Sequence, residues 1–207
     1  MADCTEEATT AAMQMLVVQG RCPMVHLAAT IPFGQPMSWE QFLEIPDDER
    51  AEYVDGKAFV SPPPSFAHQE ICQRLRDVLK AQLGAGAIVA VGVGWRLPGE
   101  RPRLRIPDAM VLTEAPSGDV VTTAPTVVIE VLSTNRTDDL VRKSTEHLGA
   151  GVRQYWIVDP RDRVLDVFEL AASGWERIAQ LSDDAPTATV TIPSYGAIEL
   201  SLECILG

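Results

Sequence analysis

The sequence predicts an α/β fold: a mixed β-sheet built around a βαβ unit, with helices on both faces. Three stretches carry that expectation. Residues 126–132 form a short, almost wholly apolar, β-branched run, as in a strand covered on both sides. Residues 152–158 repeat the pattern. Between them lies a charged segment with helix signals, which makes the two runs neighbouring strands joined by a crossover helix.

Taken in order, residues 1–36 show no clean periodicity, and Pro23, Pro32 and Pro36 interrupt them repeatedly. They read as an extension, partly ordered at best, ahead of a single domain over 37–207. Ser38 and Gln41 make a capping box for a short helix whose inward face is Trp39, Phe42 and Leu43. Asp55-Gly56 is a hairpin-turn signal between two alternating strands, the first of which bears Glu52. After Pro62-Pro63-Pro64, Ser65 can cap a long helix ending at Gly84, with Ile71, Leu75, Val78, Leu79 and Leu83 as its apolar stripe. His68, in its first turn, reads on its own as structural.

Residues 87–97 form a glycine-bearing strand that leads into a cluster of Arg96, Arg101, Arg103 and Arg105. Residues 105–112 read as the next strand, with Pro107 at its entry, where a missing N–H is tolerated. The helix after the 126–132 strand starts near Thr137, with Asp138 and Asp139 suited to its positive end, and stops at Gly149 and Gly151. Strand signals at 164–170, 176–180 and 188–192 predict a β-rich C-terminal part that extends the sheet.

At 207 residues, with 46% hydrophobic and 22% charged residues, the chain can bury one sizeable core. No apolar run approaches the ~20 residues of a membrane span. The opening M-A-D-C-T-E-E lacks a basic n-region, so a cytoplasmic location and no membrane partner are expected. Cys4, Cys22, Cys72 and Cys204 lack Cys-x-x-Cys spacing and read as reduced thiols, neither a disulfide framework nor a zinc site. A net charge of −12 argues against broad, sequence-independent nucleic-acid binding. It leaves room for a local patch. Arg101, Arg103 and Arg105 are either a solvated loop or a surface that touches phosphates.

Glu130, inside an apolar strand, needs a reason, because burying an ionised carboxylate costs several kcal/mol unless it is compensated. It lies at a solvated strand end, pairs with an arginine, or faces a cation. Parity puts Thr126, Val128, Glu130 and Leu132 on one side of the strand and Val127, Ile129 and Val131 on the other. Asp108 sits on a neighbouring candidate strand. Two acids on adjacent strands and one face repel, and a hard divalent ion with oxygen ligands relieves that. Mg²⁺ asks for only one or two protein carboxylates.

Six motifs occur in a telling order: E-Y-V-D-G-K at 52–57, S-P-P-P-S-F-A-H at 61–68, I-P-D at 106–108, P-T-V-V-I-E-V-L-S at 125–133, D-x-x-x-K at 139–143 and G-V-R-Q-Y-W-I-V-D-P at 151–160. In these the chain resembles the Uma-two family of restriction endonucleases, within the PD-(D/E)XK nuclease superfamily. The resemblance implies a restriction-endonuclease-like sheet and a metal-dependent endonuclease acting on nucleic acid, DNA first. Asp108, Glu130 and the Val131 carbonyl would hold Mg²⁺ or Mn²⁺. Lys143 would be the catalytic lysine, since Leu132 stands where the superfamily motif has one. Glu52 matches a leading acid that would assist the metal or water, and Arg101, Arg103 or Arg105 would place the nucleic-acid backbone. Asp139 and Lys143, four apart, share a helix face, and outside the resemblance they read as a surface ion pair. His147 falls where the family pattern has a tyrosine, and Gln154 where it more often has an acid. Leu132 and His147 support the alternative of a catalytically decayed, nuclease-fold accessory protein. A homodimeric interaction module using the β-rich C-terminal part is a further alternative.

Overall fold

The computed structural model describes residues 34–46, 49–133 and 137–207, and of 137–141 the backbone only. At its centre, strands β8 (Val127–Val131) and β9 (Gln154–Asp159) run parallel, with Val127 opposite Gln154 and Val131 opposite Val158. Helix α3 (Thr137–Gly149) makes the crossover between them. All five residues of β8 are buried. A parallel pair cannot be closed by a tight turn, so the charged segment between the two apolar runs becomes the covering helix.

Antiparallel strands extend this pair on both sides. β7 (Ala109–Leu112) and then β4 (Ile88–Val91) flank β8, while β10 (Val164–Ala171) and β11 (Gly174–Leu181) flank β9, giving the order β11-β10-β9-β8-β7-β4. The predicted parity holds. Val127, Ile129 and Val131 pack with Ile71, Leu75 and Leu79 of α2 (Phe66–Leu83), and Val128 faces Met110, Tyr155 and Trp95 on the opposite side. Ser65 caps α2 by accepting the His68 backbone N–H at 3.2 Å.

A second sheet has the order β1-β3-β2-β6-β5. Its hairpin, β2 (Ala51–Val54) and β3 (Lys57–Val60), turns at Asp55 and Gly56, both at positive φ (50° and 74°) as a tight hairpin requires. Helix α1 (Trp39–Phe42) keeps the expected Ser38/Gln41 capping box. Residues 1–33, and so most of the expected extension, lie outside the described residues. Within it, β1 (Gln35–Pro36) pairs with β3.

Two strands expected to be continuous divide between the sheets. Residues 87–97 become β4 and β5 (Trp95–Arg96), separated by Gly92 at φ +62° and by Gly94, where a Cβ would come within 3.1 Å of Val120 Cγ1. Residues 105–112 become β6 (Leu104–Arg105) and β7, separated at Ile106-Pro107-Asp108. Pro107 has no N–H to offer a ladder, so Asp108 is left at the seam between sheets. In the C-terminal part, β10 and β11 do extend the main sheet. β12 (Thr187–Ile192) and β13 (Gly196–Ser201) instead form their own ladder, because Val190, Ile192, Ile198 and Leu200 turn into the core beside α2 and α4 (Leu202–Leu206). No helix of the described residues is long and apolar enough to cross a membrane.

Candidate active site

Asp108 is 2% exposed and fully engaged. Its Oδ1 accepts from Arg50 Nη2 at 3.1 Å and lies 3.0 Å from His68 Nε2, and its Oδ2 accepts the Val131 backbone N–H at 2.8 Å. Burial alone would raise its pKa. The His68 hydrogen bond and charge, the Val131 N–H and Arg50 together outweigh burial and hold the carboxyl below the ordinary aspartate value. Cys72, one helical turn beyond His68, presents its sulfur to the same spot: one ligand atom each from His68, Cys72 and Asp108 lie within 4.8 Å of one another. Burial pushes the Cys72 thiol up to about 12, and the charge of Asp108 adds to that.

Glu130 is 3% exposed and belongs to a different set of partners. Lys143 Nζ, from α3, sits 3.2 and 3.1 Å from its two oxygens, and His147 Nε2 lies 3.8 Å from Oε1. His147 is wholly buried between the rings of Trp95 and Tyr155, with centroids at 5.5 and 5.2 Å, and neither ring nitrogen has a hydrogen bond among the described residues. Lys143 also stands 3.7 Å from Glu52. Glu52 in turn accepts from Arg105 at 2.8 Å and from the Ile106 N–H at 3.1 Å. Arg105 completes the chain with a two-pronged bond to Glu146, at 2.7 and 2.8 Å.

Arg105 is therefore not an open phosphate-binding side chain. It is 1% exposed and clamps two carboxylates, whose hydrogen bonds and charges hold its pKa above the usual arginine value against the opposing effect of burial. Arg101 is exposed, and Arg103 is half-buried with its Nη2 on the Pro98 carbonyl at 3.2 Å. Glu52 is likewise saturated by protein donors. Asp139, the expected partner of Lys143, has a side chain outside the described residues.

Nor do Asp108 and Glu130 stand bare across a common space. One ladder step beyond the Ala109–Ile129 pair they would be opposite each other, but Asp108 has left the strand. It is engaged by α2 and Arg50, and Glu130 by α3. Each buried charge meets its compensation in nearby protein cations. The sequence signal missed Arg50, Cys72 and Glu146. Cys72 four residues after His68, and Glu146 three after Lys143, were legible as same-face pairs. Arg50, alone at the mouth of a strand, carried no signal.

A cleft of about 760 Å³ opens over Asp108. Its walls are the first turn of α2 with the Pro62–Pro64 run, the end of β8 (Val131, Leu132, Ser133) and the turn after β9. That turn is shaped by Asp159 Oδ1, which accepts the N–H groups of Arg161 and Asp162 at 2.9 and 3.1 Å. The cleft thus lies beyond the carboxyl ends of the parallel pair, where open α/β sheets bind ligands. Arg50, His68 and Arg161 line it together with Asp108, Asp159 and Asp162. Glu130 and Lys143 do not line it.

Residues 39–202 match the model of a family, Uma2, described as "Putative restriction endonuclease". Among solved structures the chain is similar to a "putative nuclease belonging to DUF820" from Anabaena variabilis, with a TM-score of 0.67 and 20% identity over 83% of this chain and 98% of that one. At that identity the likeness concerns the fold. No curated protein matches the chain.

Proposed function

The chain belongs to the Uma2 family of restriction-endonuclease proteins, and from that premise we propose that it is a metal-dependent endonuclease that hydrolyses phosphodiester bonds in DNA. The observation that carries this function is Asp108: a buried acid with a depressed pKa on the floor of an open cleft, flanked by Arg50 and His68. Such a group stays ionised at neutral pH and attracts a cation where a polyanion can reach it.

Of the expected donors, Asp108 and Val131 line the cleft, while Glu130, bound to Lys143, lies outside it. A hard divalent ion held there by the Asp108 carboxylate and the Val131 carbonyl would complete its shell with water and phosphate oxygens, as Mg²⁺ does. Bound Mg²⁺ or Mn²⁺ supplies polarisation of the scissile phosphate and activation of water. The protein's own residues do the rest. Val131 N–H fixes the Asp108 carboxylate from behind. Lys143 compensates the buried charge of Glu130 and so secures the end of β8 beside the cleft. Glu52 steadies Lys143, and Arg105 braces Glu52 against Glu146. Arg50, the exposed Arg101 and the half-buried Arg103 contact backbone phosphates, which positions the strand without reading its sequence.

The alternative, a nuclease-fold binding protein without catalysis, draws on Glu130. This acid is closed off by Lys143 and His147, outside the cleft, and Leu132 occupies the position of the motif lysine. Incubation with supercoiled plasmid, single-stranded DNA and RNA, in Mg²⁺, Mn²⁺ or EDTA, separates the two. Cleavage that needs the metal supports the nuclease, and binding without cleavage in any metal supports the alternative.

A further inference from the structure

We infer that His68, Cys72 and Asp108 form a site for a borderline divalent transition ion, of the zinc or cobalt type, on the floor of the cleft. The site shares Asp108 and its neighbour His68 with the proposed nuclease centre, and it can be tested apart from that reading because Cys72 has no part in the nuclease chemistry. One imidazole nitrogen, one sulfur and one carboxylate oxygen lie within 4.8 Å of one another, the only such group of three among the described residues. A tetrahedral ion with ordinary zinc bond lengths needs ligand atoms roughly 3.3–3.8 Å apart, so small side-chain rotations close the site.

Each ligand is held for the purpose. His68 and Cys72 are four apart on the rigid α2, on one face, and Ser65 caps the turn that carries His68. Asp108 is oriented from the far side by the Val131 N–H, as ligating carboxylates are in metal centres. The cleft gives an entry path and leaves a fourth position open to water or a phosphate oxygen, the arrangement of a catalytic rather than a structural ion. The sulfur sets selectivity: a thiolate prefers Zn²⁺ or Co²⁺ over Mg²⁺ or Ca²⁺. Binding deprotonates the Cys72 thiol, so the S–H bond breaks, a sulfur–metal bond forms and one proton passes to solvent. Arg50, 23% exposed at its side chain, is displaced from Asp108 Oδ1 and turns into the cleft.

The test is a titration of the full, metal-stripped, reduced chain with Co²⁺, without nucleic acid. The expected result is one ion per chain, with the intense visible bands of four-coordinate cobalt and a thiolate-to-cobalt charge-transfer band in the near ultraviolet. Cys72→Ala should abolish the charge-transfer band, and His68→Asn should weaken binding at least 10-fold. The triple variant Cys4→Ser, Cys22→Ser, Cys204→Ser should keep both features. His68 is only partly buried, so its variant reports even if Cys72→Ala fails to fold. A band that survives both Cys72→Ala and His68→Asn, or a spectrum of fully hydrated cobalt only, overturns the site. The outcome is separable from the nuclease. The band without cleavage sinks only the nuclease, and metal-dependent cleavage without the band sinks only this site.

Discussion

The carboxylate of Asp108 accepts the backbone N–H of Val131 at 2.8 Å, which ties the residue that enters β7 to the last residue of β8. One short bond thus closes the seam left by Pro107 and aims the other carboxylate oxygen at Arg50 and His68. A residue with that many partners has a structural and a chemical role, and substitutions can separate them.

Asp108→Ala should destabilise the fold by about 3–5 kcal/mol, because it leaves Arg50 without its anion and the Val131 N–H without an acceptor. Asp108→Asn keeps a carbonyl for one donor and should cost less, about 1–3 kcal/mol. Urea unfolding at pH 7 measures both. Equal costs for the two variants would mean that the carboxylate's partners contribute little.

Lys143→Met strands the buried Glu130 beside His147 and should cost about 3–5 kcal/mol. Combining it with Glu130→Gln should recover part of that, with a coupling of about 1–3 kcal/mol in a double-mutant cycle. Additive costs would show that the pair does not act as a unit.

The arginines of the 96–105 segment should divide by burial. Arg105→Ala leaves Glu52 and Glu146 unpaired and should cost about 3–5 kcal/mol. Arg101→Ala should change stability by less than about 0.5 kcal/mol. It should instead lower DNA affinity and reduce the slope of log K against log salt by about 1. Denaturation and a salt series of binding isotherms check the two effects.

Cys72 should give the metal-free chain an alkaline limit. Its folded pKa, about 12, lies above the ~8.5 of an unfolded thiol, so its contribution is complete below pH ~8.5 and is lost as pH rises toward 12. Across that window the loss should approach at most about 1.4 kcal/mol per pH unit. Unfolding free energies at pH 8, 9, 10 and 11 should fall more steeply for the wild type than for Cys72→Ala. Parallel curves would contradict it.

Much of this architecture was legible in the sequence. Ser38 with Gln41, Asp55-Gly56 and Ser65 act within a few residues of themselves, and each does locally what its chemistry predicts. The face parity of β8 followed from alternation alone. The division of strands at Gly92–Gly94 and at Pro107 did not, because the choice between two sheets is made by distant packing. At the site, Asp108, Glu130, Lys143 and Glu52 were each singled out, and all four are buried or nearly so and charge-paired. What sequence could not tell was who pairs with whom. Arg105 looked like a surface cation until Glu52 and Glu146, 53 and 41 residues away, converged on it.

The most direct measurement is plasmid cleavage in Mg²⁺ and Mn²⁺ by wild type and by Asp108→Asn, with both shown folded by circular dichroism at the assay temperature. Metal-dependent nicking by the wild type that falls at least 100-fold in Asp108→Asn is the predicted result. Cleavage at undiminished rate by the folded variant would contradict it.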